Sequence, residues 1–152
     1  MKIRISPRTF GAGLDISTPL ETYSTKKPLA PFGDTHVLNS RGTQVARLGP
    51  ESLFSGAYNI IISGAGFYRF SRDENSKQTW ICRGEGRLLQ VSRTRRVWIV
   101  IDDAGQKVAE GSKARFASDY EIALVDEAEF KLVMCIFLAV HFSEGQSAGI
   151  PD

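Results

Sequence analysis

The most hydrophobic stretch of the chain, Leu132 to Val140, constrains the fold more than any other feature, because all nine of its residues are apolar. Asp126 is a favourable N-cap residue, and Glu129 follows three positions later, as in a capping box. The pattern therefore predicts a helix over residues 126–142. A helix that is apolar on every side belongs in a core, and this one is too short for the roughly 20 residues that cross a bilayer. We expect a buried core helix and no transmembrane span.

The chain before this helix is rich in short strand-like segments. β-branched and aromatic residues alternate with polar ones, and turn residues recur about every eight to twelve positions, which is typical of an all-β sandwich or barrel. The first thirty residues predict a short strand at Lys2–Ile5, followed by a segment with Gly11, Gly13, Pro19, Pro28 and Pro31 that predicts loop with at most one edge strand. We therefore expect a mainly β protein with a single helix.

Two segments of the chain share one pattern. Residues 36–47 and 98–110 each predict a hairpin whose turn contains a glycine, Gly42 or Gly105, followed after two residues by Val-Ala. Each hairpin precedes a strand with the same Phe, Tyr and Ile spacing: Phe54, Tyr58 and Ile60 in the first, and Phe116, Tyr120 and Ile122 in the second. The pattern indicates an internal duplication, or else two similar hairpins without common origin.

A closed sheet can bury an all-apolar helix if its lumen is wide enough. That requires more than about eight strands, which is the size of a barrel filled by its own side chains. The residues before Asp126 provide roughly ten to twelve strands at the observed turn spacing. The count predicts a closed antiparallel barrel around a central helix; the alternative is a two-sheet sandwich with the helix across one end.

These hairpins and the hydrophobic C-terminal helix resemble the tubby C-terminal-like superfamily, in its LURP-one-related and phospholipid scramblase-like branch. The resemblance implies a twelve-stranded barrel around a central helix, as one domain over residues 1–143, followed by a flexible tail over 144–152. It also implies a non-catalytic protein, since the family includes phosphoinositide-binding tubby domains, scramblases and LURP-one-related proteins. Residues 119–126 lack the Asp-rich, calcium-associated sequence that scramblases carry before the helix.

Composition argues against several other classes of function. The two histidines and two cysteines lack the close spacing of a zinc site, and no glycine-rich phosphate loop is present, so we expect no catalytic residue, metal or cofactor. A net charge of +2 gives little support to nucleic-acid binding. The basic N-terminus lacks the apolar region of a secretory signal, and Cys82 and Cys135 are expected to be reduced, buried thiols. These features predict a cytoplasmic protein, either free or peripheral to a membrane.

One segment, residues 83–98, is strongly basic, with five arginines and one glutamate for a local charge of +4. Arginine binds phosphates bidentately, and tryptophan suits an interface. The predicted anionic-ligand site comprises Arg83, Arg87, Arg93, Arg95, Arg96 and Trp98. The alternative is a solvated turn that keeps a strand end soluble.

The function expected from these features is a non-catalytic module that binds an anionic lipid head group or a protein partner. Two alternatives stay open: a nucleic-acid-binding barrel that uses Trp80, Trp98 and the arginines, or an enzyme with an unrecognised site.

Overall fold

The computed structural model describes residues 1–8, 13–27, 33–52, 56–114 and 118–146. They form twelve strands and a C-terminal helix. The strands are β1 (Lys2–Pro7), β2 (Leu14–Ser17), β3 (Thr22–Lys26), β4 (Thr35–Asn39), β5 (Gln44–Pro50), β6 (Tyr58–Ile62), β7 (Gly66–Arg72), β8 (Thr79–Gly84), β9 (Arg87–Thr94), β10 (Val97–Ile101), β11 (Lys107–Lys113) and β12 (Tyr120–Leu124). The helix is α1 (Phe130–Gln146), preceded by a 3-10 turn at Glu127–Glu129.

Each strand pairs antiparallel with its neighbour in sequence, and β1 also pairs with β12, so the sheet closes into a barrel. Side chains alternate between the lumen and the outer surface, as in β7, where Tyr68 and Phe70 are buried and Phe67 and Arg69 are exposed. All residues from Leu132 to Val140 are buried inside. The predicted barrel around a central hydrophobic helix is therefore confirmed, in place of the sandwich.

The helix begins and ends later than the sequence predicts. Asp126 does cap its start, since its carboxylate accepts a hydrogen bond from the Ala128 N–H at 3.0 Å, but the first turn is 3-10. The Glu129 side chain does not complete a capping box, because its carboxylate binds Arg87 instead. At the other end α1 continues to Gln146, so residues 144–146 are helical and not part of the predicted tail, whose remainder lies outside the described residues.

The first thirty residues contain three strands, where the sequence predicts one at Lys2–Ile5 and at most one edge strand after it. β2 and β3 have only four and five residues, and Gly13 and Pro19 lie between the three strands, so too few residues alternate in one run for the pattern to be recognised. Leu14 and Ile16 nevertheless face the core, and the Leu14 N–H donates to Oγ1 of buried Thr25 at 2.9 Å. In the closed barrel each of these strands has a hydrogen-bonded neighbour on both sides, which stabilises even a strand as short as β2. The local sequence does not show which strands will be neighbours.

The two predicted hairpins are confirmed, and they match in detail. Asn39 and Asp102 each accept two backbone N–H bonds at the start of their turn, and Gly42 and Gly105 have φ of 80° and 79°. Both hairpins also carry a register shift at the same place, after Val37 and Val100. Phe54 and Phe116, which belong to the repeated pattern, lie outside the described residues.

The match extends to whole halves of the barrel, since the pairing registers of β1–β6 reappear in β7–β12. For example, Ile5 faces Ile16 and Tyr120 on its two neighbouring strands, and in the other half Phe70 faces Cys82 and Tyr58 in the same way. Likewise, the facing pair Leu48 and Ile60 corresponds to the facing pair Gly111 and Ile122. Equivalent positions are therefore six strands apart, on opposite sides of the barrel. This equivalence allows each surface feature of one half to be compared with its counterpart in the other.

Burial of the two cysteines leads to a testable prediction. Cys82 and Cys135 are fully buried, and desolvation raises the pKa of Cys82 to about 12 and raises the pKa of Cys135 as well. Only the thiolate reacts readily, so modification at neutral pH requires the barrel to open. We expect a thiol reagent to label the native protein at least about 1,000-fold more slowly than the denatured chain, given a folding free energy of roughly 5 kcal/mol or more. Fast labelling of Cys135 in the native state would contradict the central position of the helix.

Candidate functional site

The basic segment 83–98 does not form one cluster in three dimensions. The helix start, with Phe130 packed on Tyr23, lies at one end of the barrel, called here the lower end. The helix end, where Ser143 lies beside Trp80, marks the upper end. Strand β9 runs from one to the other over about 23 Å, at roughly 3.3 Å per residue. The predicted site is thus divided: Arg83 and Arg87 lie toward the lower end, and the other four residues toward the upper end.

Arg87 at the lower end serves the structure of the barrel. Its two terminal nitrogens donate to the two carboxylate oxygens of Glu129, each at 2.9 Å, and this pairing raises the pKa of Arg87. The bond fastens the start of the helix to the barrel wall. Arg83 is exposed and lies directly opposite Arg69 on β7, above a depression of ≈ 370 Å³. Arg69 has Glu51 as a partner, whereas Arg83 forms no ion pair with any described residue.

Trp98 is not an interfacial residue, which corrects the sequence prediction. Its side chain is 2% exposed and packs against Tyr120, with ring centroids 5.3 Å apart. Side chains alternate along β10, so residues 98 and 100 point into the lumen. The exposed turn just before Trp98 in sequence therefore does not make Trp98 exposed. Trp98 therefore belongs to the core around the helix.

Arg93 connects the core, the turn and the helix. Its side chain donates to the Glu144 carboxylate at 3.0 Å and to the Arg95 carbonyl oxygen at 2.8 Å, and its guanidinium carbon lies 5.5 Å from the Trp98 ring centroid. The Arg93–Glu144 pair holds the last part of α1 against β9. These contacts hold Arg93 in place, and its contribution to a binding surface is to fix the turn that carries Arg95 and Arg96.

Arg95 and Arg96 form the exposed β9–β10 turn at the upper end. Arg95 has a φ of 58°, which is a left-handed conformation suited to such a tight turn. Arg96 donates to the Ala114 carbonyl oxygen at 3.3 Å, and the Lys113 N–H donates to the Arg96 carbonyl oxygen at 3.0 Å. Strand pairing therefore adds Lys113, which the sequence analysis missed. Arg93, Arg95, Arg96 and Lys113 are called here the basic rim.

The basic rim has a clear excess of positive charge. Glu144 offsets one of its four cations through Arg93. Lys113 places its ammonium 5.1 Å from the Tyr120 ring centroid, a cation–π contact with a ring that carries no net charge, so the positive charge of Lys113 is retained. Burial and the nearby Lys113 lower the pKa of His141, so this histidine is neutral at pH 7 and the charge of the rim comes from its arginines and lysine.

Within the described part of the chain, no three His, Cys, Asp or Glu side chains are grouped to hold a metal ion. No helix among those residues is long and apolar enough to cross a membrane.

Comparison with protein-family models, curated proteins and solved structures finds no match to this chain. The fold and site thus define it as a twelve-stranded helix-filled barrel with a basic rim, and its resemblance to tubby-like proteins stays a prediction.

Proposed function

We propose that the protein is a non-catalytic binding module whose basic rim recognises the phosphates of anionic lipid head groups at a membrane surface. The observation that carries the proposal is the exposed pair Arg95 and Arg96, projecting from a tight turn beside two further cations. Guanidinium groups bind phosphate oxygens in a bidentate manner. The protein would then be cytoplasmic and peripheral to the membrane, in keeping with the family that its sequence resembles.

The different contacts of the arginines in the basic rim support this proposal. Arg93 is held by Glu144 and the Arg95 carbonyl oxygen, so it fixes the turn that presents Arg95 and Arg96. A preformed turn loses little freedom on binding, which favours association. Each basic residue near an anionic surface contributes about 1 kcal/mol, and the effect decays within about 8 Å at physiological salt. The rim should therefore give a weak, salt-sensitive interaction.

Vesicle sedimentation tests the proposal. The wild type should sediment with vesicles that contain anionic phospholipid and not with purely zwitterionic ones. Changing Arg95 and Arg96 to glutamate should weaken binding by about thirtyfold or more, since two contacts of about 1 kcal/mol are lost. Arg93 is left intact because its contacts are structural, and the melting temperature should stay nearly unchanged, as exposed charges contribute little to stability.

Arg41→Glu combined with Lys107→Glu provides the matched control. Both residues are exposed at the lower end, and the pair makes the same change in net charge. This variant should bind anionic vesicles like the wild type. Equal binding by the two double variants would show non-specific attraction and exclude the rim, and no vesicle binding by the wild type would also refute the proposal. Preference for an acidic protein or a nucleic acid over vesicles would favour the alternatives.

A further inference from the structure

A groove of ≈ 570 Å³ crosses the outer wall of the barrel over β11, β12, β1 and β2. It is called here the side groove, and its floor carries the short outward-facing side chains of Ser112, Ala123 and Ser17. Its volume falls within the roughly 300–1,000 Å³ of small-molecule sites. It lies on the barrel wall and includes no residue of the basic rim.

The other half of the barrel shows why the groove exists. In the pairing register Ala123 faces Lys2, and the equivalent pair in the other half is Ile61 facing Phe67. Those two larger side chains lie on the outer surface, 36% and 48% exposed, and occupy the corresponding space. The side groove is therefore open because residue 123 is an alanine.

Unpaired charges of both signs border the groove. Ala123 on β12 faces Glu110 on β11 and Lys2 on β1, so a carboxylate lies on one side of it and an ammonium group on the other. The backbones of β11 and β1 are about 10 Å apart, which is twice the spacing of neighbouring strands. Glu121 precedes Ala123 by two positions on the same face. Its cross-strand neighbour Arg4 donates to Asp119 instead, from Nε at 3.0 Å and from Nη2 at 2.5 Å.

The carboxylates of Glu110 and Glu121 and the ammonium of Lys2 thus form no ion pair among the residues described. Glu110 lies on the β11 side of Ala123, Lys2 lies on the β1 side, and Glu121 lies two positions before Ala123 on β12 itself. A simple cation would leave Lys2 without an acceptor, and a simple anion would face two like charges.

We infer that the side groove binds a small linear zwitterion. The ligand's ammonium group lies between Glu110 and Glu121, its anionic group meets Lys2, and an apolar linker covers Ala123. Charge complementarity selects this class of ligand over molecules with a single charge.

Nuclear magnetic resonance titration of the full chain with 6-aminohexanoate tests the inference, since its five methylenes separate an ammonium group from a carboxylate. Amide shifts should saturate with a Kd on the order of 1 mM, about −4 kcal/mol, and map to β11, β12 and β1. Hexylamine and hexanoate, which each lack one charge, should bind up to about fivefold more weakly, the contribution of one exposed ion pair.

The chain itself suggests the variants. Ala123→Ile copies Ile61, fills the groove and should abolish the shifts, while Glu121→Asn copies the equivalent Asn59 and should weaken binding about fivefold. Ile61→Ala, on the opposite wall, is the matched control and should leave binding unchanged. Both test variants should keep the wild-type melting profile, because these side chains point outward; if Ala123→Ile misfolds, Glu121→Asn decides. The inference fails if 6-aminohexanoate does not bind, if it binds no better than the single-charge analogues, or if folded Ala123→Ile binds as well as the wild type.

Discussion

Replacing Phe137 with aspartate should leave the chain without a stable fold. Phe137 is fully buried on α1, and its ring meets Tyr120 edge-on with centroids 6.3 Å apart. The substitution removes a core aromatic, at about 3–5 kcal/mol, and adds an unpaired buried charge, at several kcal/mol more. Together these costs match or exceed the roughly 5–15 kcal/mol that stabilises a typical domain. Circular dichroism should show loss of the cooperative thermal transition.

Lys131→Asp is the matched control for this prediction, since Lys131 is the exposed residue at the start of the same helix. It places the same new side chain on α1 but outside the core, so it should lower the free energy of unfolding by roughly 1 kcal/mol or less. A Phe137→Asp protein that still melts cooperatively near the wild-type temperature would show that the helix is peripheral to folding.

Adding a single methyl group at Gly111 should also destabilise the barrel. A Cβ atom there would overlap Cε1 and Cζ of Phe137, so the ring or the helix must move. The equivalent position in the other half is Leu48, and the strand itself therefore tolerates a side chain. We expect Gly111→Ala to cost about 1–3 kcal/mol through overpacking, which lowers the melting temperature by roughly 2–4 °C per kcal/mol.

A double-mutant cycle with Phe137→Leu identifies the cause. The smaller leucine should make room, so the double variant should be more stable than the sum of the two single effects by about 1 kcal/mol or more. Ser112→Ala, on the next residue but facing outward, should change stability little. Strict additivity of Gly111→Ala and Phe137→Leu would mean that the glycine is needed for some other reason than the fit of the helix.

The arginines illustrate how far sequence analysis reaches. A local charge of +4 is a property of the chain, but the eight-residue strand β9 runs from Arg87 to Thr94, and its length places the two ends of the segment at opposite ends of the barrel. Lys113 is 17 positions after Arg96 in sequence, and it joins the rim because β10 and β11 pair. The charge count along the chain does not show which of these basic residues are neighbours in the barrel. The burial of Trp98, in contrast, could have been predicted from the sequence, because side chains alternate between the two faces of a strand.

The sequence by itself determined the architecture of this protein. A stretch from Leu132 to Val140 with no polar face has to be enclosed, and enough alternating strands precede it to enclose it, so hydrophobic burial leads to a helix-filled barrel. Only the tertiary structure decided where the surfaces with functional potential lie. Barrel closure fixes which strands are neighbours, and so places Lys113 beside Arg96 and Lys2 opposite Ala123. Such contacts depend on the pairing register between strands that are far apart in the sequence. The hydrophobic pattern and the local propensities of the chain do not specify that register.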